Sequence, residues 1–130
     1  MNTFIAMNRF KIAIGREGDF EDIWRNRETH LDDVGGFKKF NLLKGPTNEE
    51  YTLYTSHSTW DSKTDFENWT KSEAFRKAHS GGGQHKGIYL GHPQFEGFEV
   101  IIYNYFIETS GWNTFYKKKI FNCVFPRINY

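Results

Sequence analysis

The sequence holds a single cysteine, Cys123, and three prolines in 130 residues. One cysteine excludes an intramolecular disulfide, and a cysteine-built zinc or iron–sulfur site would have to borrow its ligands elsewhere. No apolar run approaches the roughly 18 residues of a membrane span, and the start Met1-Asn-Thr-Phe lacks the basic residues and apolar stretch of a secretory leader. The expectation is a soluble, cytoplasmic protein that meets no membrane. Charge of one sign is also missing: 17 basic against 16 acidic residues gives +1, which argues against a nucleic-acid binder. There is no phosphate-cradling GxxxxGK[ST], no GxGxxG, no HExxH and no Gly-x-Ser-x-Gly. His30, His57, His85 and His92 show no metal-site spacing with carboxylates or with one another.

What is abundant is aromatic: 13 Phe, 7 Tyr and 4 Trp, material for a core or for a cavity that takes a planar apolar ligand. From Thr3 to Ile14 the chain alternates, with Phe4, Ala6, Asn8, Phe10 and Ile12 on one face and Ile5 and Met7 on the other, which predicts a strand. Asp19 is read as the cap of a helix carrying Phe20, Ile23, Trp24, Arg27 and Leu31 and ending by Gly35-Gly36. Phe37 to Lys44 and Tyr51 to Trp60 read as strands joined at Gly45-Pro46-Thr47-Asn48. Ser62 and Ser72 read as caps of two helical segments reaching His79. A glycine-rich loop follows over 80 to 94, and Phe95 to Tyr103 reads as the last strand. This order predicts an α+β ferredoxin-like sandwich with an antiparallel sheet. Its second face, with Ile5 and Met7, needs a cover, which a homodimer joined sheet to sheet would supply. Residues 1 to 103 form the expected domain. Residues 104 to 130 stand apart, with 8 aromatics and a charge of +3 against −2 for the rest.

Three residues invite a chemical reading. Asn8 interrupts an apolar face, so its amide either bonds internal backbone or points into a ligand cavity. His79 shares a helix face with Phe75 just before the glycines: it is a dipole partner at the helix end, a part-buried core residue, or an axial ligand of the kind a heme pocket needs. Trp69, ten residues earlier, is a core aromatic or a wall that presses on a porphyrin.

The segments AMNRF around Asn8, FENWTKSEAFRKAH with Trp69 and His79, and YLGHPQFEGFEV together resemble the heme-degrading monooxygenases of the IsdG type, in the antibiotic-biosynthesis-monooxygenase superfamily. GFKKFNLLKGP, Phe66 and HKGIYLGHP are most similar to the HmuQ-type branch. The resemblance implies a dimeric α/β-barrel of two ferredoxin-like subunits, each holding one heme between helices and sheet. It implies His79 as proximal ligand of the heme iron, Asn8 as the distal amide, Trp69 as the residue that pushes the porphyrin out of plane, and Phe75 beside them. Heme would then be both substrate and oxygen-activating group, opened with dioxygen and an external electron donor to give iron and a biliverdin-like tetrapyrrole. Two other functions fit the same residues: a cofactor-free monooxygenase of a small aromatic or quinol, and a non-enzymatic heme carrier. The resemblance ends near Tyr103, where members of this type usually stop within a few residues, and the extension from 104 departs from that pattern.

Overall fold

A computed structural model describes residues 2–80 and 85–104. Four strands, β1 (Phe4–Ala13), β2 (Phe37–Thr47), β3 (Tyr51–Trp60) and β4 (Gln94–Glu99), form one antiparallel sheet in the order β2-β3-β1-β4. Three helices, α1 (Glu17–Arg25), α2 (Lys63–Thr70) and α3 (Glu73–Ala78), and a 3-10 turn at Leu31–Asp33 fill the connections. This is the ferredoxin-like α+β arrangement.

The period-two alternation of β1 sends Phe4 and Ala6 into one apolar cluster with Leu31 and Trp60, and Phe10 and Ile12 into a second with Phe20, Tyr54 and Ile88. Trp60 and Phe20 are wholly buried, each stabilising the fold by roughly 1.5–3 kcal/mol. Helix α1 is held to β3 by polar bonds as well: the Tyr54 hydroxyl donates to Glu21 Oε2 at 2.9 Å and the Thr52 hydroxyl to Glu17 Oε1 at 2.9 Å. Burial and the neighbouring Glu21 carboxylate push the Tyr54 phenol well above its usual range. A bulge between Phe37 and Lys39 lets Phe37 and Phe40 both pack against the Trp60 cluster despite their odd spacing. Gly97 on β4 lies so close to Phe4 that a Cβ there would stand 2.6 Å from the tip of the ring.

Several expected boundaries move. Helix α1 starts after Arg16 rather than at a cap by Asp19, whose carboxylate instead accepts from Arg16 Nε at 2.6 Å. It stops at Arg25, because Arg25-Asn26-Arg27-Glu28-Thr29 offers no apolar position to carry the helix on, and His30 takes a left-handed φ of 52°. Arg27 and Leu31 are therefore off the helix. Strand β2 continues through Gly45-Pro46 to Thr47, which an edge strand tolerates. The turn is at Asn48, whose Oδ1 accepts from the amides of Glu50 and Tyr51. Strand β4 ends at Glu99, which pairs with Phe4 where β1 begins, and Ile101, Ile102 and Tyr103 beyond it are exposed. Ser62 and Ser72 do cap α2 and α3, accepting from the amides of Asp65 and Phe75. Gly81–Gly83 of the expected loop and all but the first residue of the 104 to 130 extension lie outside the described residues. The sheet face away from the helices carries Ile5, Met7 and Leu53, half-buried, and Leu43 and Phe98, exposed, alongside polar residues such as the Arg9–Glu96 ion pair and His57.

Candidate functional site

Between the helices and the sheet lies a cavity of about 1250 Å³, with a smaller one of about 60 Å³ beneath it against the strands. Asn8, Trp24, Arg27, Phe66, Trp69 and His79 line both. The structure thus brings Asn8, Trp69 and His79 to one site, with Phe75 on the wall of the larger cavity.

His79 is the C-cap of α3. Its Nδ1 lies 2.7 Å from the Phe75 carbonyl, four residues back. A carbonyl only accepts, so Nδ1 carries the proton and Nε2 keeps the lone pair a metal requires. The Phe75 ring stacks on the imidazole at 3.9 Å and Trp69 meets it edge-on at 6.2 Å. Burial lowers the His79 pKa, the Phe75 carbonyl opposes this, and the charge of Arg27 lowers it further. The ring is held neutral to lower pH than an ordinary histidine.

Trp69 touches four other rings, with Trp60 at 5.3 Å and Phe75 at 4.9 Å. Its Nε1, like that of Trp24, is buried without a hydrogen-bond partner among the described residues. The Asn8 amide makes no side-chain hydrogen bond among the described residues and faces the cavities.

Two groups escaped the sequence reading. Arg27 was counted on a helix face, yet it sits past the end of α1, lies over the Trp24 ring at 4.8 Å and donates from Nη2 to the Ala78 carbonyl at 2.5 Å. Its place in the polar run Arg25-Asn26-Arg27 after Trp24 was the only signal available. Tyr89, from the glycine-rich stretch, is carried into the cavity wall by pairing with Ile12 and packs edge-on against Phe20. His85 and His92 also line the larger cavity. Among the described residues that lining contains Arg27 and Lys86 and no carboxylate.

A family model described as antibiotic biosynthesis monooxygenase matches residues 3–81. The chain belongs to that family. A heme-degrading monooxygenase of Shouchella clausii is 39% identical over 67 residues, 51% of this chain and 63% of that protein, so the match spans less than two thirds of this relative. A heme-degrading monooxygenase of Bacillus thuringiensis strain Al Hakam is 33% identical over 76 residues, 58% of this chain and 70% of that protein. Among solved structures, the heme-degrader MhuD of Mycobacterium tuberculosis, with two hemes bound in its active site, superposes with a TM-score of 0.61 at 24% identity, covering 78% of this chain and 98% of that one. SnoaB, a cofactor-independent oxygenase of Streptomyces nogalater, has the same fold, with a TM-score of 0.58 at 14% identity over 79% of this chain and 97% of that one. Asn8, Trp69, Phe75 and His79 all fall inside the family match.

Proposed function

We propose that this chain is a heme-degrading monooxygenase that binds heme as substrate, opens the porphyrin with dioxygen and electrons from an external donor, and releases iron and a biliverdin-like tetrapyrrole. The observation that carries this reading is His79: a neutral imidazole with its proton fixed on Nδ1, its free Nε2 at the rim of an aromatic cavity and Asn8 on the sheet opposite. The residues fit the group. A cavity of about 1250 Å³ exceeds the roughly 300–1,000 Å³ of most small-molecule sites. An aromatic lining with cations and, among the described residues, no acid suits a flat apolar body with an anionic edge.

Heme, when bound, supplies the oxygen-activating iron; the remaining tasks fall to the chain. His79 ligates the iron, with Phe75 and its carbonyl fixing the imidazole plane. Trp69 would form the aromatic wall against the porphyrin, Asn8 would offer its amide from the sheet, and Arg27 and Lys86 would meet carboxylates at the rim. Two copies join through the open sheet face, around Ile5, Leu53 and Phe98, to make a homodimer working in the cytoplasm. Residues 1 to 103 form the catalytic domain and 104 to 130 an added segment.

The likeness to SnoaB keeps a cofactor-free monooxygenase as the second reading. Titration of heme into purified protein decides between them, since only the first gives a stoichiometric, His-ligated absorption band. Adding reductant and air then separates an enzyme from a carrier: an enzyme bleaches the band and yields a product whose mass identifies the tetrapyrrole, whereas a carrier keeps its spectrum. Sedimentation of the same sample tests the dimer.

A further inference from the structure

The helix-facing side of the sheet is apolar at both ends, where Phe4 and Ala6 join Trp60, and Phe10 and Ile12 join Tyr54. Between the two clusters runs a polar waist: Asn8 on β1 stands directly opposite Ser56 on β3. Directly paired residues share a face, with Cβ atoms about 5 Å apart.

Ser56 is 6% exposed; its hydroxyl makes no hydrogen bond among the described residues, yet the oxygen is not one of the fully enclosed polar atoms, so what exposure it has opens on the cavity it lines. Its buried neighbours differ. Thr52 bonds to Thr47 and Glu17, and Ser62 caps α2. Ser58, beside it, accepts from Trp60 Nε1 at 2.9 Å. Thr55 lies on the opposite face. Ser56 therefore borders the inner cavity of about 60 Å³ with an unbonded hydroxyl, opposite the unbonded amide of Asn8. A hydroxyl that the scaffold leaves unbonded and that opens on a cavity is available to a ligand there. The space exceeds what one water needs, on the order of 10–15 Å³.

We propose that Ser56 and Asn8 form a shared hydrogen-bonding floor that holds a small, water-sized ligand between the sheet and the bound substrate. This rests on the heme reading above and assigns to that site a second ligand-contacting residue, Ser56. The two side chains act on one ligand from adjacent strands, so neither suffices alone. The hydroxyl has no other partner, so its removal leaves the scaffold intact.

The test uses azide, a small hydrogen-bond acceptor, titrated into the ferric heme-loaded full chain. Ser56→Ala weakens azide binding by about three- to ten-fold, the weight of one neutral hydrogen bond, while heme affinity and melting temperature do not fall. Asn8→Ala weakens it as well, and the double variant loses less than the product of the two single effects, since both contact one ligand. Unchanged azide affinity in Ser56→Ala overturns the inference, as does a strictly multiplicative double variant. A lower melting temperature for Ser56→Ala also overturns it, because the hydroxyl would then be tied to the scaffold. A wild-type chain that takes up no heme fails at the earlier reading; one that takes up heme but ignores Ser56→Ala fails only here.

Discussion

Replacing Arg27 by Met removes one charge while keeping an unbranched stem of similar length over Trp24. Arg27 Nη2 donates to the Ala78 carbonyl at the C-terminal end of α3, the segment that carries His79. A hydrogen bond to a charged group contributes about 1.5–3 kcal/mol; this one is only partly buried, so about 1–2 kcal/mol is expected. For a domain near 100 residues that corresponds to a fall in Tm of roughly 4–16 °C. The electrostatic consequence has its own sign. Arg27 helps depress the His79 pKa, so without it the imidazole protonates at higher pH and is lost as a ligand earlier on acidification. Heme titrations followed by absorbance between pH 5 and 8 should show the acid limb of binding moved to higher pH in Arg27→Met, on top of a pH-independent loss of affinity from the missing contact to a rim carboxylate. Thermal melts of the heme-free protein measure the first effect. An unchanged Tm together with an unchanged pH profile would falsify the view that Arg27 braces the helix end and tunes the histidine.

His79→Ala should abolish heme turnover yet leave Tm close to wild type, since the residue is exposed at a helix end; retained bleaching would reassign the ligand, with His85 and His92 the next candidates. Asn8→Ala should still bind heme, with turnover down by about 10²–10³-fold if the amide acts on the reacting oxygen; equal losses of binding and stability would make it a structural residue. Trp69→Phe keeps most of the ring packing and should hold a flatter heme and slow the first oxygenation, read by paramagnetic NMR and stopped-flow bleaching. Removing residues 104 to 130 should leave turnover and Tm nearly unchanged, and a large fall in either would show the segment to be part of the domain.

How much of this was legible in the sequence follows from which interactions are local. Strand β3 was readable to the residue from its β-rich run, and the caps at Ser62 and Ser72 declared themselves because a cap bonds an amide only three positions away. The end of β4 was not, since it depends on where β1 begins, about ninety residues earlier. Asn8 stood out as an amide on an apolar face. Ser56 did not, because a serine among threonines in a strand looks ordinary until it is known to face Asn8. That pairing joins positions 48 residues apart across a helix, so no tight turn sets its register. Arg27 was concealed by apparent helical spacing that broke off at Arg25.

Gly97 never lines either cavity, yet what it lacks shapes both. The Phe4 ring occupies the volume a Cβ would need. That ring packs at 5.4 Å on Phe66, which stacks on Phe95 at 5.5 Å and meets Trp69 at 6.0 Å. A methyl group added at this one position on the sheet would push a train of close-packed rings whose last member is the tryptophan beside His79, and rings packed this tightly relay a displacement instead of absorbing it. The contour of the substrate wall is thus set, like type locked in a frame, by a missing carbon atom on the sheet beneath it.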